Sequence, residues 1–104
     1  MSTRAVKYVV ENFSHWSRNG YTERYSVITR TSDGKRLSFQ HDGTSNVLRG
    51  LAELAGSYGH PATLSLNDTD VSYREYQRAA KDLPYFHGSG KKMAKQLRAA
   101  FRKV

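Results

Sequence analysis

The sequence predicts an α+β fold: an antiparallel sheet of about four strands, in the order β-β-β-α-β-α-α, with helices packed on one face. Three observations lead to this prediction. Apolar residues alternate through residues 5–41, recur with helical spacing in residues 45–58, and do so again in the last third of the chain. Because 104 residues is the length of one ordinary domain, we expect residues 1–104 to form a single domain.

Three strands are expected in the first part of the chain. Residues 5–13 and 21–31 are rich in β-branched and aromatic residues, and the Asn19-Gly20 pair between them suits the positive φ angles of a tight reversal. A second reversal at Ser32-Asp33-Gly34 leads into the alternating residues 35–41. The three segments therefore predict an antiparallel meander.

A first helix is predicted over residues 45–58, where apolar residues repeat every three or four positions. Its expected N-cap is Thr44 or Ser45, and its expected end is at Gly59. We expect this helix to cover the sheet. Gly50, which is unfavourable within a helix, is expected where the helix crosses close to a strand.

The short alternating segment 62–66 predicts a fourth strand at an edge of the sheet. The acidic residues 67–70 that follow lack the other ligands of a calcium-binding loop, so we expect a turn there. Ser72 and Glu75 fit the capping box, in which a serine and a glutamate satisfy the first amides of a helix. They predict a second helix over residues 73–82.

The third helix is expected over residues 91–104, which contain six cations and no acid. Its apolar residues fall on one arc and its cations on the other, so it can dock on a core and present positive charge to solvent. A similar row of cations occurs on the second helix. The predicted binding residues are Arg74, Arg78, Lys81, Lys91, Lys92, Lys95, Arg98 and Arg102.

Positive charge is concentrated at the C-terminal end of the chain. The formal net charge of +8 divides into +3 for residues 1–43, −2 for residues 44–70 and +7 for residues 71–104. Such clustering favours an anionic partner, namely nucleic acid or an acidic protein surface. The basic helical part 71–104 is therefore the expected binding region, although a row of charge is also the ordinary solvated side of a helix.

The segment GSGKKMAKQLRAA, residues 88–100, resembles the start of the last helix of double-stranded RNA-binding domains. In that family a G-x-G-x-S-K-K-x-A-K run contacts phosphates with its lysines. The resemblance implies that Lys91, Lys92 and Lys95 are phosphate contacts. The serine before the lysine pair is absent here, and a capped helix precedes the motif where that family has a strand.

Three aromatic residues lie in predicted loops close to cations or histidines. Trp16 is near His15 and Arg18, while Tyr85 and Phe86 lie in the linker before the third helix. Exposed rings can stack on unpaired bases or anchor a protein interface, whereas rings that fold back close the core. Trp16, Tyr85 and Phe86 are therefore candidate stacking or interface residues.

Catalytic, metal-binding and membrane functions have little support in the sequence. There is no cysteine, and the four histidines lack the spacing of metal ligands. We expect no metal site, no cofactor and no enzymatic activity, with one alternative left open: two histidines meeting in the fold as an acid–base pair. No apolar segment has the length of a signal peptide core or a membrane span, so we expect a cytoplasmic protein.

The sequence therefore predicts a small basic protein that binds DNA or RNA through the phosphate backbone, using its C-terminal helices with low sequence specificity. The alternative is a protein–protein interaction module. One example is a small phage-type inhibitor, of the anti-CRISPR or host-takeover style, that binds an acidic surface of a nuclease, polymerase or interference complex. How the two rows of cations are arranged in the folded chain bears on both hypotheses.

Overall fold

A computed structural model describes residues 7–16, 20, 22–56 and 63–104 of the chain. The elements in this part confirm the α+β class and the predicted order β-β-β-α-β-α-α. They are β1 (Tyr8–Trp16), β2 (Thr22–Arg30), β3 (Arg36–His41), α1 (Thr44–Leu54), β4 (Thr63–Asp70), α2 (Tyr73–Ala80) and α3 (Gly90–Lys103).

The four strands form one sheet in the order β3-β2-β1-β4. As predicted, β1, β2 and β3 pair in an antiparallel meander, and β4 lies at an edge. β4 pairs with β1 in parallel, however, so the sheet is mixed and not purely antiparallel. The reason is the connection: a helix that crosses the sheet returns the chain in the direction of the strand it left, and β3 runs parallel to β1.

Alternation along the strands gives the sheet an inner and an outer face. The register pairs Val10 with Ile28 and Ile28 with Leu37, so these side chains lie together on the inner face, where they are buried. α1 and α3 cover this face. The residues that they bury in the core are Val47, Leu51, Met93, Leu97 and Phe101.

α1 and α3 meet at Gly50. A Cβ atom on Gly50 would lie 2.9 Å from Met93 Cγ and 3.1 Å from the backbone nitrogen of Ala94. Gly50 therefore permits a close approach, as expected, but the element that approaches is the helix α3 and not a strand. Gly90, at the start of α3, lies beside Arg49 in the middle of α1, and the ends of both helices, at Leu54 and Phe101, line one cavity, so the two helices run in the same direction.

α2 packs on the outer face, opposite to α1 and α3. The Tyr76 ring lies 6.0 Å from the Tyr25 ring, and the Tyr76 hydroxyl donates a hydrogen bond to Gln40 Oε1 at 2.8 Å. Tyr25 and Gln40 alternate with the buried Ser26 and Phe39, so their side chains point to the outer face. The apolar side of this short helix thus covers aromatic residues that the other two helices leave uncovered.

Several element ends differ from the predicted ones. α1 ends at Leu54, because Gly56 has a φ of 67° and its amide donates to the Glu53 carbonyl. The expected end at Gly59 lies outside the described residues. The N-cap of α1 is Gly43; Thr44 instead accepts a hydrogen bond from Asn12 Nδ2 at 2.7 Å.

Residues 67–70 continue β4 and do not form the predicted turn. Asp68 Oδ1 in this segment accepts a hydrogen bond from Asn12 Nδ2 at 2.9 Å. The capping prediction is confirmed, since Ser72 Oγ accepts a hydrogen bond from the Glu75 amide at 3.2 Å. α2 ends at Ala80, two residues before its predicted end.

The linker between α2 and α3 follows the free edge of β3. The Gln40 amide donates to the Pro84 carbonyl and the Phe86 amide donates to the Gln40 carbonyl, both at 2.8 Å. The Gln40 side chain also donates to the carbonyls of Ala80 and Leu83. These bonds hold the linker as it carries the chain from the outer face around the edge to the inner face.

Candidate functional site

α3 presents the cations that the sequence predicted as a binding surface. Its N-cap is Ser89, and the preceding Gly88 has a φ of 105°, which a glycine adopts readily. The helix buries Met93, Leu97 and Phe101 against the core. Each of these burials contributes roughly 1.5–3 kcal/mol to stability, so the core fixes the orientation of α3.

The opposite side of α3 carries exposed cations. We define the α3 row as Lys91, Lys95, Arg98 and Arg102, all of which are exposed. Lys92 and Lys103 are exposed beside the row, and the first turn of the helix contains no acid. Among the described residues the only ion pair joins Arg30 to Asp33, so the row has no carboxylate partner there.

α1 adds one cation to this surface. A Cβ atom on Gly90 would lie 2.9 Å from Arg49 Cβ, so Arg49 stands beside the first turn of α3. Arg49 is exposed. The only acid in α1 is the exposed Glu53, one helical turn further along. The surface that α1 and α3 share is therefore predominantly basic.

A concave site lies at the C-terminal end of α3. This groove has a volume of about 450 Å³ and takes its walls from β1, β2, the β2–β3 turn, α1 and α3. Four of its residues are cations, and we call it the Arg30 groove. Its lining residues are Tyr8, Arg30, Ser32, Lys35, Leu54, Arg98, Phe101 and Arg102.

Arg30 is held in place by two neighbours. Its Nε donates to Asp33 Oδ1 at 3.1 Å and its Nη2 donates to Asp33 Oδ2 at 2.6 Å. Its Cζ atom lies 4.7 Å from the centre of the Phe101 ring, within the range of a cation–π contact. The Arg30 hydrogen bond lowers the pKa of Asp33 to about 2, so the carboxylate remains ionised at neutral pH.

Tyr8 closes the groove beside Arg30. Its ring lies 5.9 Å from the Phe101 ring, and the side chain is buried. Burial raises the pKa of the Tyr8 hydroxyl, and the neighbouring Arg30 charge opposes this shift in part. Tyr8 therefore stays protonated and neutral at physiological pH. The four cations of the groove, counted together with the Asp33 carboxylate that binds Arg30, carry a formal charge of +3.

The structure separates the cations of α2 from those of α3. Arg74, Arg78 and Lys81, which we define as the α2 row, border a different groove, on the outer face, together with Glu23 and Gln40. All three cations are exposed. Because α2 and α3 lie on opposite faces of the sheet, each row borders a site of its own, and the two helices do not present one shared cationic surface.

The predicted stacking residues divide into accessible and buried ones. Trp16 is 70% exposed and Tyr85 is 50% exposed, so both rings are accessible. Phe86 is only 9% exposed and stacks on Phe39 at 4.8 Å, which corrects the expectation that its ring is available to a partner. In the extended linker Phe86 turns to the core, whereas Tyr85 and His87 on either side of it are exposed.

Sequence reasoning missed the Arg30 groove and one exposed ring. Arg30 and Lys35 flank the predicted reversal at Ser32-Asp33-Gly34, and this local cluster of cations was the available signal. Tyr73 is 52% exposed and its ring lies 5.3 Å from that of His15. The sequence predicted Tyr73 as the first residue of the second helix and gave no sign that its ring is exposed.

The described histidines lie apart from one another in three environments. His41 is buried, His15 Nδ1 lies 3.2 Å from the Val71 carbonyl oxygen, and His87 is exposed in the linker. His60 lies outside the described residues, as does Arg18 beside Trp16. Within the described ranges there is no group of three histidine or acidic side chains placed to hold a metal ion, and no helix there could span a membrane.

Comparison of the chain with protein-family models, with curated proteins and with solved structures finds no match.

Proposed function

We propose that the protein binds nucleic acid through the phosphate backbone, with the α3 row as the principal contact surface. The observation that supports this most strongly is the exposure of four cations along one side of a helix whose other side is anchored in the core. Lysine and arginine along such a surface can neutralise successive phosphates and release their condensed counterions. Phosphate contacts carry no sequence information, so the expected specificity is low.

The cations of α3 repel one another, and an anionic partner would relieve this repulsion. Lys91 and Lys95 are four residues apart, as are Arg98 and Arg102, and like charges at that spacing destabilise a helix by about 0.2–0.5 kcal/mol per pair. Lys91 and Lys92 also lie in the first turn, where the helix dipole disfavours cations. These costs are small compared with the free energy of burying the apolar side of α3, so the helix forms in the folded chain without a ligand. A bound phosphate would reduce the repulsion.

The two sides of the sheet imply one main surface and one secondary surface. The α2 row borders the outer groove, so a short nucleic acid bound along α3 would not reach it as part of the same helical surface. Tyr85 lies in the linker between the two rows, and Trp16 lies at the end of β1. Both exposed rings are available to stack on unpaired bases of a longer strand.

The salt dependence of binding tests this proposal. If the four residues of the α3 row contact duplex DNA, the logarithm of the binding constant falls with the logarithm of salt concentration with a slope of about −3.6. Engagement of the α2 row as well brings seven cations into contact and steepens the slope to about −6. Affinity that is insensitive to salt, or absent at low salt, contradicts nucleic-acid binding.

A second candidate function is an interaction module for an acidic protein surface. Exposed Trp16 and Tyr73 support it, because aromatic residues are enriched among the anchors of protein interfaces. The two functions separate in a pull-down from lysate with and without nuclease treatment. A defined protein partner that is retained after nuclease treatment, and lost on replacing both Trp16 and Tyr73 with alanine, favours the interaction module.

A further inference from the structure

We infer that the Arg30 groove is a binding site for a phosphomonoester, and specifically for the terminal phosphate of a nucleic-acid strand that lies along α3. This inference rests on the proposed function for the identity of the strand. It goes beyond that function because it assigns a distinct site, with a different ligand group, to residues that the binding surface alone does not require: Tyr8, Arg30, Lys35 and Phe101.

The density of positive charge in the Arg30 groove exceeds that along the α3 row. Along the α3 row the cations are about one helical turn apart, which suits phosphodiesters that each carry one negative charge. In the groove, four cations from three separate elements surround one space. A terminal phosphate carries about −1.5 to −2 at neutral pH and offers three strong acceptor oxygens. The groove therefore matches a terminal phosphate better than an internal one.

Arg30 is oriented before any ligand arrives. Two hydrogen bonds to Asp33 and the contact with the Phe101 ring fix the guanidinium, and its side chain is only 24% exposed. The residues of the α3 row, by contrast, are exposed side chains without such support. Asp33 occupies the Nε and Nη2 donors that face it, so Arg30 offers a phosphate an oriented charge and its remaining Nη donors. A pre-ordered guanidinium loses less conformational entropy on binding.

The shape and lining of the groove also suit a small anionic group. Its volume of about 450 Å³ lies within the range of about 300–1,000 Å³ that is common for small-ligand sites. Phe101, Tyr8 and Leu54 supply apolar walls, and this lower-dielectric backing on one side of the cations strengthens their attraction for an anion. Arg98 and Arg102 belong both to the α3 row and to the groove, so a strand that follows the row leads into it.

The test compares one oligonucleotide sequence in three forms: with a 5′-phosphate, with a 3′-phosphate and without a terminal phosphate. Each is titrated with the full chain by fluorescence anisotropy, with the dye on the opposite end or at an internal base. We expect one phosphorylated form to bind roughly tenfold or more tightly than the unphosphorylated form. Adenosine 5′-monophosphate and inorganic phosphate, added as competitors, should reduce this preference.

Two variants and one control assign the effect to the groove. Lys35→Gln and Arg30→Lys should abolish the preference for the phosphorylated end, the second because a lysine keeps the charge but loses the paired bonds to Asp33 that orient it. Arg36→Gln is the matched control, since Arg36 alternates with the buried Leu37 and so points to the outer face. It should leave the preference unchanged. Circular dichroism and thermal unfolding show whether each variant is folded.

The outcomes separate this inference from the proposed function. Equal affinity for all three forms overturns the terminal-phosphate site and leaves nucleic-acid binding intact. An equal loss of preference in Lys35→Gln and Arg36→Gln also overturns the site. A last outcome is that labelled adenosine 5′-monophosphate binds, and is displaced by inorganic phosphate, while no oligonucleotide binds. The groove is then a phosphomonoester site and the proposed function fails.

Discussion

At the scale of single residues, the inner face of the sheet contains a buried polar cluster next to the apolar core. Asn12, Ser26 and His41 are buried side by side, with Ser26 Oγ and His41 Nε2 2.7 Å apart. Ser26 Oγ donates to Asn12 Oδ1 and so accepts from His41 Nε2, while His41 Nδ1 has no hydrogen-bond partner among the described residues. The cluster is too deeply buried to reach a substrate, so it belongs to the framework under α1 and not to a catalytic site.

This cluster predicts a dependence of stability on pH. Burial, with a smaller contribution from Arg24, lowers the pKa of His41 from 6.5 to about 4, against the opposing effect of Asp42. Between these two values the unfolded chain binds a proton that the folded chain does not. The free energy of unfolding should therefore fall as pH drops from 6.5 to 4, by about 3 kcal/mol in all.

Urea unfolding at a series of pH values measures this dependence. His41→Gln removes the titrating group and should flatten the curve between pH 4 and 6.5, whatever its effect on absolute stability. The contribution of Asp33 is lost mainly as pH falls from 3.8, its ordinary pKa, to about 2, its pKa in the folded chain, which is below this window. A variant that loses stability with falling pH as steeply as the wild type would show that His41 is not the source.

At the scale of elements, the close contact between α1 and α3 positions the basic surface. Gly50→Ala should destabilise the fold by about 1–3 kcal/mol, because the new Cβ meets Met93 Cγ at 2.9 Å and the Ala94 backbone at 3.1 Å. The gain of about 1 kcal/mol in helix propensity acts in the opposite direction and is smaller than the cost of moving α3. Thermal unfolding decides the sign; a stabilised variant would mean that the helices separate easily.

The α3 row predicts opposite effects on stability and on binding. Lys95→Glu replaces repulsion with Lys91, Lys92 and Arg98 by attraction, and should raise the free energy of unfolding by up to about 1 kcal/mol. The same change should weaken nucleic-acid binding. Lys95→Gln, which only removes the charge, should show both effects at smaller size. If Lys95→Glu were neither more stable nor weaker in binding, the row would be an ordinary solvated surface.

At the scale of the whole molecule, local signals in the sequence were sufficient for the order of the elements. The alternation of Leu37 and Phe39 with polar neighbours, the capping pair Ser72 and Glu75, and the apolar arc of α3 each depend on a few adjacent residues. The position of α2 depends on contacts between distant segments, because Tyr76 packs on Tyr25. Neither segment alone indicates on which face of the sheet α2 lies. Pairings of this kind are decided by the assembled sheet.

The candidate site shows the same division. The cations of the α3 row are visible as a helical repeat in a single segment. The Arg30 groove joins Arg30 and Lys35, which flank one turn, to Arg98, which is far from them in the sequence and meets them because Phe101 packs against Tyr8. The burial of Phe86 depends in turn on the hydrogen bonds that hold the linker against Gln40.

The most direct test of the central claim is a comparison of two matched charge reversals on opposite faces of the sheet. Lys95→Glu/Arg98→Glu and Arg74→Glu/Arg78→Glu change the net charge equally, and all four side chains are exposed. The measurement is the dissociation constant for a short nucleic acid at one low salt concentration. The α3 variant should bind at least about tenfold more weakly than the α2 variant. Equal weakening in both would mean that overall charge, and not the α3 surface, governs binding.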